Sequence, residues 1–454
     1  MNLKIGQIQK FIIWPLLFIV IALWNIPHTI AGRYISEGLL LLLVIGCKPN
    51  WKLFFGANKP LLIFFTYLFI QLLFFSTNYP LAFSNFRAEW MHFIIFSMIG
   101  AGAGLLLGKS GSVQILLFLG IAFSTPLYIH LVLSLIKGIE LGSIPWGYWG
   151  ISEIHGDFGY PALEASILLF TFYLYKSKTL LDKILLIGLL IICVASPLLA
   201  TSRGGTAFAI LGTLCVYITH LLSGHGNSFN FSKKLIYLLI FTLGLLGSFK
   251  LGIISIPDRW VGTFSRLSVG LQGDPVTIYC KGIHYLEQEF LSKGISITPE
   301  IQKGLDSVVD GEGTRAVAAR SGYSLMLQHP MGLNQSKQAY QTAIIEACNG
   351  SPKIFIAHAH NGWIDTALAI GMPGAILLLI TLLQYAKLGL NSLRKSEELS
   401  PFGMALFVSA CIWMLRGLLD STFRDQMLEM QAFIFAFLLG VILTKNSLIK
   451  NLIK

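Results

Sequence analysis

Ile356-Ala357-His358-Ala359-His360-Asn361-Gly362-Trp363 stands at the joint between a mostly polar insertion, 257–362, and an apolar run that carries Gly371 and Gly374. A histidine pair just outside a run of membrane-spanning length has no packing reason to be there. His360 is therefore the first candidate for chemistry, with His358 and Asn361 beside it in supporting positions.

Outward from this joint, apolar runs rich in Leu, Ile and Phe recur through the chain. Hydrophobic residues make up 54% of the 454 residues and charged ones 12%, and the mean hydropathy is +0.70. That composition requires a bilayer as solvent, and runs of about 16 to 25 residues satisfy their backbone there as helices. A β-barrel would show short alternating segments instead. The expectation is an all-α integral membrane protein, a polytopic bundle of about twelve helices, at 11–26, 34–47, 60–77, 91–108, 113–136, 160–175, 184–200, 206–222, 235–256, 363–386, 402–419 and 427–444. Met1 to Lys10 and the run that follows lack a small-residue cleavage site and read as a first, retained span.

The net charge of +11 does not point to nucleic acid, because the lysines fall in short turns rather than in a patch. Lys4, Lys10, Lys48, Lys52, Lys59, Lys109, Lys176, Lys178, Lys183, Lys233, Lys234, Lys387, Arg394, Lys395, Lys445, Lys450 and Lys454 all lie on one side of such a bundle. By the positive-inside rule that side is cytoplasmic and holds both termini. The opposite face carries the isolated cations Arg33, Arg87, Lys137, Arg203 and Arg424, and the whole insertion. The chain thus divides into helices 1–9 over 1–256, a helical extracytoplasmic domain over 257–362, and helices 10–12 over 363–454.

The insertion carries helix signals. Thr298-Pro299-Glu300 supplies an N-cap, a proline at the first helical position and an acid in the first turn, ahead of 301–309. A second helix is expected over 314–328, stopped by Pro330, and a third over 334–347, ending near Asn349-Gly350. Cys280 and Cys348 share this segment, and an oxidising compartment would leave a bridge between them open without the sequence deciding it, whereas Cys47, Cys193, Cys215 and Cys411 read as packing residues in or beside spans.

Arg203, in Thr201-Ser202-Arg203-Gly204-Gly205, is either an interfacial anchor or a guanidinium at the bundle mouth that grips phosphate oxygens. Arg315 and Arg320 are either a solvated helix face or part of the same grip. His329 before Pro330 reads as a turn stabiliser, and Trp146, Tyr148 and Trp149 as an interface belt. Glu153, His155 and Asp157, and Arg416, Asp420, Arg424 and Asp425, face the same side, with Arg416 and Asp420 at the spacing of an intrahelical pair. No carboxylate or cysteine lies close upstream of the histidines, so no metal is expected there. An imidazole of near-neutral pKa is suited instead to taking a proton from an attacking hydroxyl.

The pattern resembles a known family. His360-Asn361, nine residues, then Gly371-Met372-Pro373-Gly374 resembles the signature of the O-antigen ligases, which are grouped with Wzy-type polymerases. Arg203 inside Ser-Arg-Gly, and Arg315 fourteen residues before His329-Pro330 with Gly332 following, match further positions of that family. Two positions depart from it, Ala319 where tryptophan is common and Asn334 where a second glycine is usual. The resemblance covers about 190–445 and implies a GT-C-like, metal-independent and cofactor-free glycosyltransferase in the bacterial inner membrane, with a periplasmic active site. It implies an undecaprenyl pyrophosphate-linked glycan donor, a lipid A-core acceptor, inversion at the anomeric carbon, His360 as base, and Arg203, Arg315 and less directly Arg320 on the pyrophosphate. A polymerase or a protein O-oligosaccharyltransferase would use the same donor. A transporter would instead place paired charges at the bilayer midplane within an inverted repeat.

Overall fold

The computed structural model describes residues 5–24, 26, 28–109, 112–147, 158–176, 179–223, 263–309 and 311–453, with scattered helical residues between 239 and 254. The described residues form helices joined by turns and loops, with no strand among them. In order the helices are α1 (Ile5–Leu23), α2 (Ile30–Gly46), α3 (Trp51–Ala57), α4 (Lys59–Phe74), α5 (Tyr79–Ala88), α6 (Trp90–Leu107), α7 (Gln114–Leu141), α8 (Gly159–Lys176), α9 (Leu180–Leu199) and α10 (Arg203–Leu222). The inserted domain follows with α11 (Thr263–Gly270), α12 (Pro275–Lys281), α13 (Ile283–Ser292), α14 (Pro299–Asp306), α15 (Glu312–Gln328) and α16 (Ala339–Ala347), and the chain ends with α17 (Gly362–Leu393), α18 (Ser400–Arg416) and α19 (Asp425–Ile453).

Among the described residues, six helices are long and apolar enough to cross a membrane, or seven if α2 and α3, bent by 102°, count as one span. The other expected spans fall on helices too, but Phe11–Leu23 of α1, α4 and α18 are shorter apolar helices. Of the ninth, 235–256, only scattered helical residues are described, and Glu153, His155, Asp157, Tyr148 and Trp149 lie outside the described residues. Phe11, Leu42, Phe74, Leu180 and Leu222 point their side chains outward from the bundle, as lipid-facing helices do. Inside it, α6 and α19 pack backbone to backbone. A Cβ added at Gly100 would stand 2.3 Å from the Phe433 carbonyl, and one at Gly104 2.2 Å from that of Phe437. Small residues four apart allow this approach where lipid supplies no hydrophobic drive between helices.

The insertion folds on its own core, in which Val269, Ile278, Leu286, Leu305, Val317 and Tyr340 are buried. Thr298 accepts from the Ile301 amide, as a capping residue should. Cys280 and Cys348 form a disulfide across 68 residues, with their Cα atoms 5.1 Å apart. Closing a loop of that length stabilises the folded domain by about 4 kcal/mol on the chain-entropy account. The third expected helix starts later than its pattern suggests, at Ala339, because Asn334 and Gln335 adopt φ of 52° and 56°.

That late start serves a joint. α17 breaks at Gly371 (φ 84°, ψ 160°), which strips carbonyls of their helical donors. The segment after α15 replaces them: Leu333 N–H donates to the Leu368 carbonyl (2.7 Å) and Gln335 N–H to that of Ala369 (3.0 Å), while the Met372 N–H of α17 donates back to the Pro330 carbonyl (2.9 Å). From α4, the Tyr67 hydroxyl donates to the Ile370 carbonyl at 2.7 Å. Gly332 faces the break so closely that a Cβ there would meet the Gly371 nitrogen at 2.4 Å. Asn334 stands where a glycine would be the usual left-handed residue, and asparagine tolerates that conformation best after glycine. Its Oδ1 accepts from the Thr77 and Asn78 amides.

Gly332→Ala is expected to lower the thermal midpoint of the detergent-solubilised protein by several degrees. It adds about 1–2 kcal/mol of left-handed strain and a backbone clash. An unchanged midpoint in a static light-scattering or fluorescence melt would show that the joint is not tight.

Candidate active site

The histidine pair lies at the end of the bundle where the N-termini of α8, α10, α17 and α19 and the C-terminus of α18 meet the inserted domain. Asn361 caps α17, its Oδ1 accepting from the Trp363 and Ile364 amides at 3.1 Å, while its Nδ2 donates to the Leu418 carbonyl. Gly362 N–H donates to the carbonyls of Gly417 (2.7 Å) and Asp420 (2.9 Å), and a Cβ at this glycine would press on the 420–423 connector at 3.0 Å. The connector is thereby locked against the start of α17. Asn361, an expected supporting residue, acts in this structure on the backbone.

His360 takes a left-handed φ of 52°, and its ring lies 4.2 Å, edge to face, from that of His358. Asp365, one turn into α17, accepts from the Ala359 amide at 2.8 Å, between the two histidines, and from the Ser421 hydroxyl at 2.5 Å. Ser421 Oγ stands 3.0 Å from His358 Nδ1. The Nδ1 of His360 is buried with no hydrogen-bond partner among the described residues.

Arg315 acts on both histidines, and it meets Arg203 at one carboxylate. Arg203 opens α10, where Ser202 caps the helix, and its guanidinium meets Glu312 at the start of α15. Arg315, one turn further along α15, has its Nε 4.0 Å from the same carboxylate and is half exposed. Glu312 therefore links the two arginines. Arg320 faces elsewhere. Its guanidinium donates to the carbonyls of Gly270, Gln272 and Gly273, closing the C-terminal end of α11. Arg416 is almost wholly buried, lies 3.4 Å over the Tyr160 ring and pairs with Asp420 at 3.8 Å, the i, i+4 partner expected from the sequence. His329 ends α15 within 3.8 Å of Glu346.

These surroundings set the charge states. Burial, then His358, then the Arg315 cation push the His360 pKa down to about 3; burial and the Arg424 cation push that of His358 down to about 4. The near-neutral imidazole expected from sequence thus becomes a strongly neutral one. Burial alone would raise the Asp420 carboxyl, but Arg416 and Arg315 outweigh it and hold it below the ordinary range. Sequence reasoning passed over three groups. Asp365 carries a weak signal, an acid in the first turn of the helix that follows the histidines; Ser421 and Glu312 carry no local signal, because their partners lie far away in sequence.

Histidines held neutral bind fewer protons folded than unfolded between their folded values, about 3 and 4, and the ordinary 6.5. Stability is then full above that window and declines as pH falls through it. A His358→Gln/His360→Gln double variant should show a shallower drop in melting temperature between pH 7 and pH 4 than the wild type. Equal slopes would mean the pair is not held neutral.

Residues 188–379 match the family model described as O-antigen ligase, a stretch that runs from within α9 through the inserted domain and the break in α17. No curated protein matches the chain. Over these residues the chain is similar to the O-antigen ligase family.

Proposed function

We propose, taking the O-antigen ligase similarity as premise, that this protein is a membrane glycan transferase that moves a preassembled glycan from undecaprenyl pyrophosphate to the lipid A-core oligosaccharide. The reading places the cleft at the periplasmic face of the bacterial inner membrane, with both termini cytoplasmic and a GT-C-like bundle beneath. One observation carries it: a paired imidazole site stands within electrostatic reach of Arg315, which shares Glu312 with Arg203.

The acceptor hydroxyl oxygen attacks the anomeric carbon from the face opposite the pyrophosphate. A new carbon–oxygen bond forms, the bond to the pyrophosphate oxygen breaks with its electron pair, and the hydroxyl proton passes to the imidazole pair at His360. Attack from that face inverts the anomeric centre. Arg203 and Arg315 meet the charge that grows on the leaving pyrophosphate, as fork-shaped donors suited to phosphate oxygens. The donor's own charge also acts on the base. An anion seated on Arg315 offsets the cation that depresses His360, so the imidazole becomes more basic when donor is bound.

Purified protein in nanodiscs with lipid-linked glycan tests the reading, with lipid A-core, a second lipid-linked repeat unit and a peptide hydroxyl offered as separate acceptors. Lipid A-core alone should be glycosylated; product on the second repeat unit would make the protein a polymerase, and product on the peptide an oligosaccharyltransferase. His360→Ala should reduce transfer by at least about 100-fold, the lower range of general-base effects. Arg315→Lys should also impair it severely, since a point charge does not replace a bidentate fork. Retained activity in both variants would refute the assigned roles. Transfer should continue in EDTA, and loss restored by added divalent metal would refute the metal-free route.

A further inference from the structure

Asp365 has both carboxylate oxygens in use: Oδ1 accepts from the Ala359 amide and Oδ2 from the Ser421 hydroxyl. Ser421 has only one proton, and it points at Asp365. The 3.0 Å contact between Ser421 Oγ and His358 Nδ1 is then a hydrogen bond in which the serine accepts, so the proton of the neutral His358 ring sits on Nδ1. Its Nε2 is left bare. No comparable chain reaches His360, whose Nδ1 is buried without a partner among the described residues.

We propose that Asp365 and Ser421 are positioning residues that fix His358 as its Nδ1–H tautomer and so keep its bare Nε2 as a proton acceptor within the imidazole pair whose base is His360. The proposal rests on the transfer reading, in which a hydroxyl proton enters the imidazole pair. When it does, the new positive charge faces Asp365 through the Ser421 hydroxyl, and no proton needs to leave that hydroxyl or reach the carboxylate. Asp420 and Asp425 favour the same charge, whereas Arg315 and Arg424 oppose it. An orienting carboxylate that sets an imidazole's tautomer without itself becoming protonated is an established catalytic device. Ser421 lies beyond the part of the chain matched by the family model, so the wiring joins two segments that the match does not connect.

Asp365→Asn is the discriminating variant. The new amide can keep its oxygen on the Ala359 N–H, but its NH2 would then donate to Ser421. The serine hydroxyl would turn to donate to His358 Nδ1, and the ring proton would move to Nε2. The full-length protein in nanodiscs should lose about 100-fold or more in kcat while KM for the lipid-linked donor changes within about 3-fold. Ser421→Thr keeps the hydroxyl in the chain and should retain kcat within about 3-fold, whereas Ser421→Ala should not. Nitrogen NMR of protein labelled at histidine reads the tautomer directly: His358 should carry Nδ1–H in the wild type and Nε2–H in Asp365→Asn. A wild-type His358 with its proton on Nε2, or an Asp365→Asn variant with undiminished kcat, overturns the proposal. A wild type that transfers no glycan to any acceptor sinks the transfer reading instead, and the tautomer still decides the wiring.

Discussion

The break in α17 at Gly371 is the constraint on which the site depends. A helix interrupted among apolar neighbours leaves carbonyls that water does not reach, and each must find a donor or destabilise the fold. The donors come from Leu333 and Gln335, at the far end of the inserted domain's longest helix, and from Tyr67. Gly332 and Gly371 let the two backbones approach that closely. The result is a rigid joint between α15, which carries Glu312 and Arg315, and α17, whose first turn carries Asp365 and is preceded by the histidines. The spacing between base and cation is set by backbone hydrogen bonds rather than by long flexible side chains.

That joint also explains why the sequence was readable where it was. His329-Pro330-Met331-Gly332 and Gly371-Met372-Pro373-Gly374 look like separate motifs, yet they are the two halves of one contact. The N-cap at Thr298, the stop at Pro330 and the end at Asn349-Gly350 follow from local backbone chemistry and fall where such chemistry puts them. The start of α16 did not, because residues 334–338 are drawn into the joint and away from helical dihedrals. Span counting was legible as hydropathy but not as geometry. α2 and α3 bend by 102°, and α4 and α18 are short, which no sliding average of apolarity reveals.

Side-chain pairing was the least legible part. Arg203 and Glu312 stand 109 residues apart, and Ser421 and Asp365 56 apart, so no spacing rule connects them. Arg320 shows the converse. It has the composition of a phosphate ligand, and its three carbonyl partners become visible only once α11 is folded against α15. Two arginines five residues apart on one helix thus face different tasks: one is committed to closing a helix end, and the other stays half exposed at the cleft.

Charge balance in the cleft ties these arrangements together. Arg203 and Arg315 without a counterion would repel each other and depress the histidines further, and Glu312 answers the first problem by sitting between them. The second remains in part: burial is the main reason both imidazoles are so weakly basic, and the Arg315 and Arg424 cations add to it. On the transfer reading an incoming pyrophosphate supplies the missing negative charge, and it does so on the side of Arg315 that faces solvent. Basicity at the imidazole pair then rises only when the leaving group is in place. An acceptor hydroxyl arriving first would find a poor base, so productive turnover favours donor before acceptor. That order follows from the placement of one half-exposed arginine beside two half-buried histidines, and it needs no conformational change in the bundle.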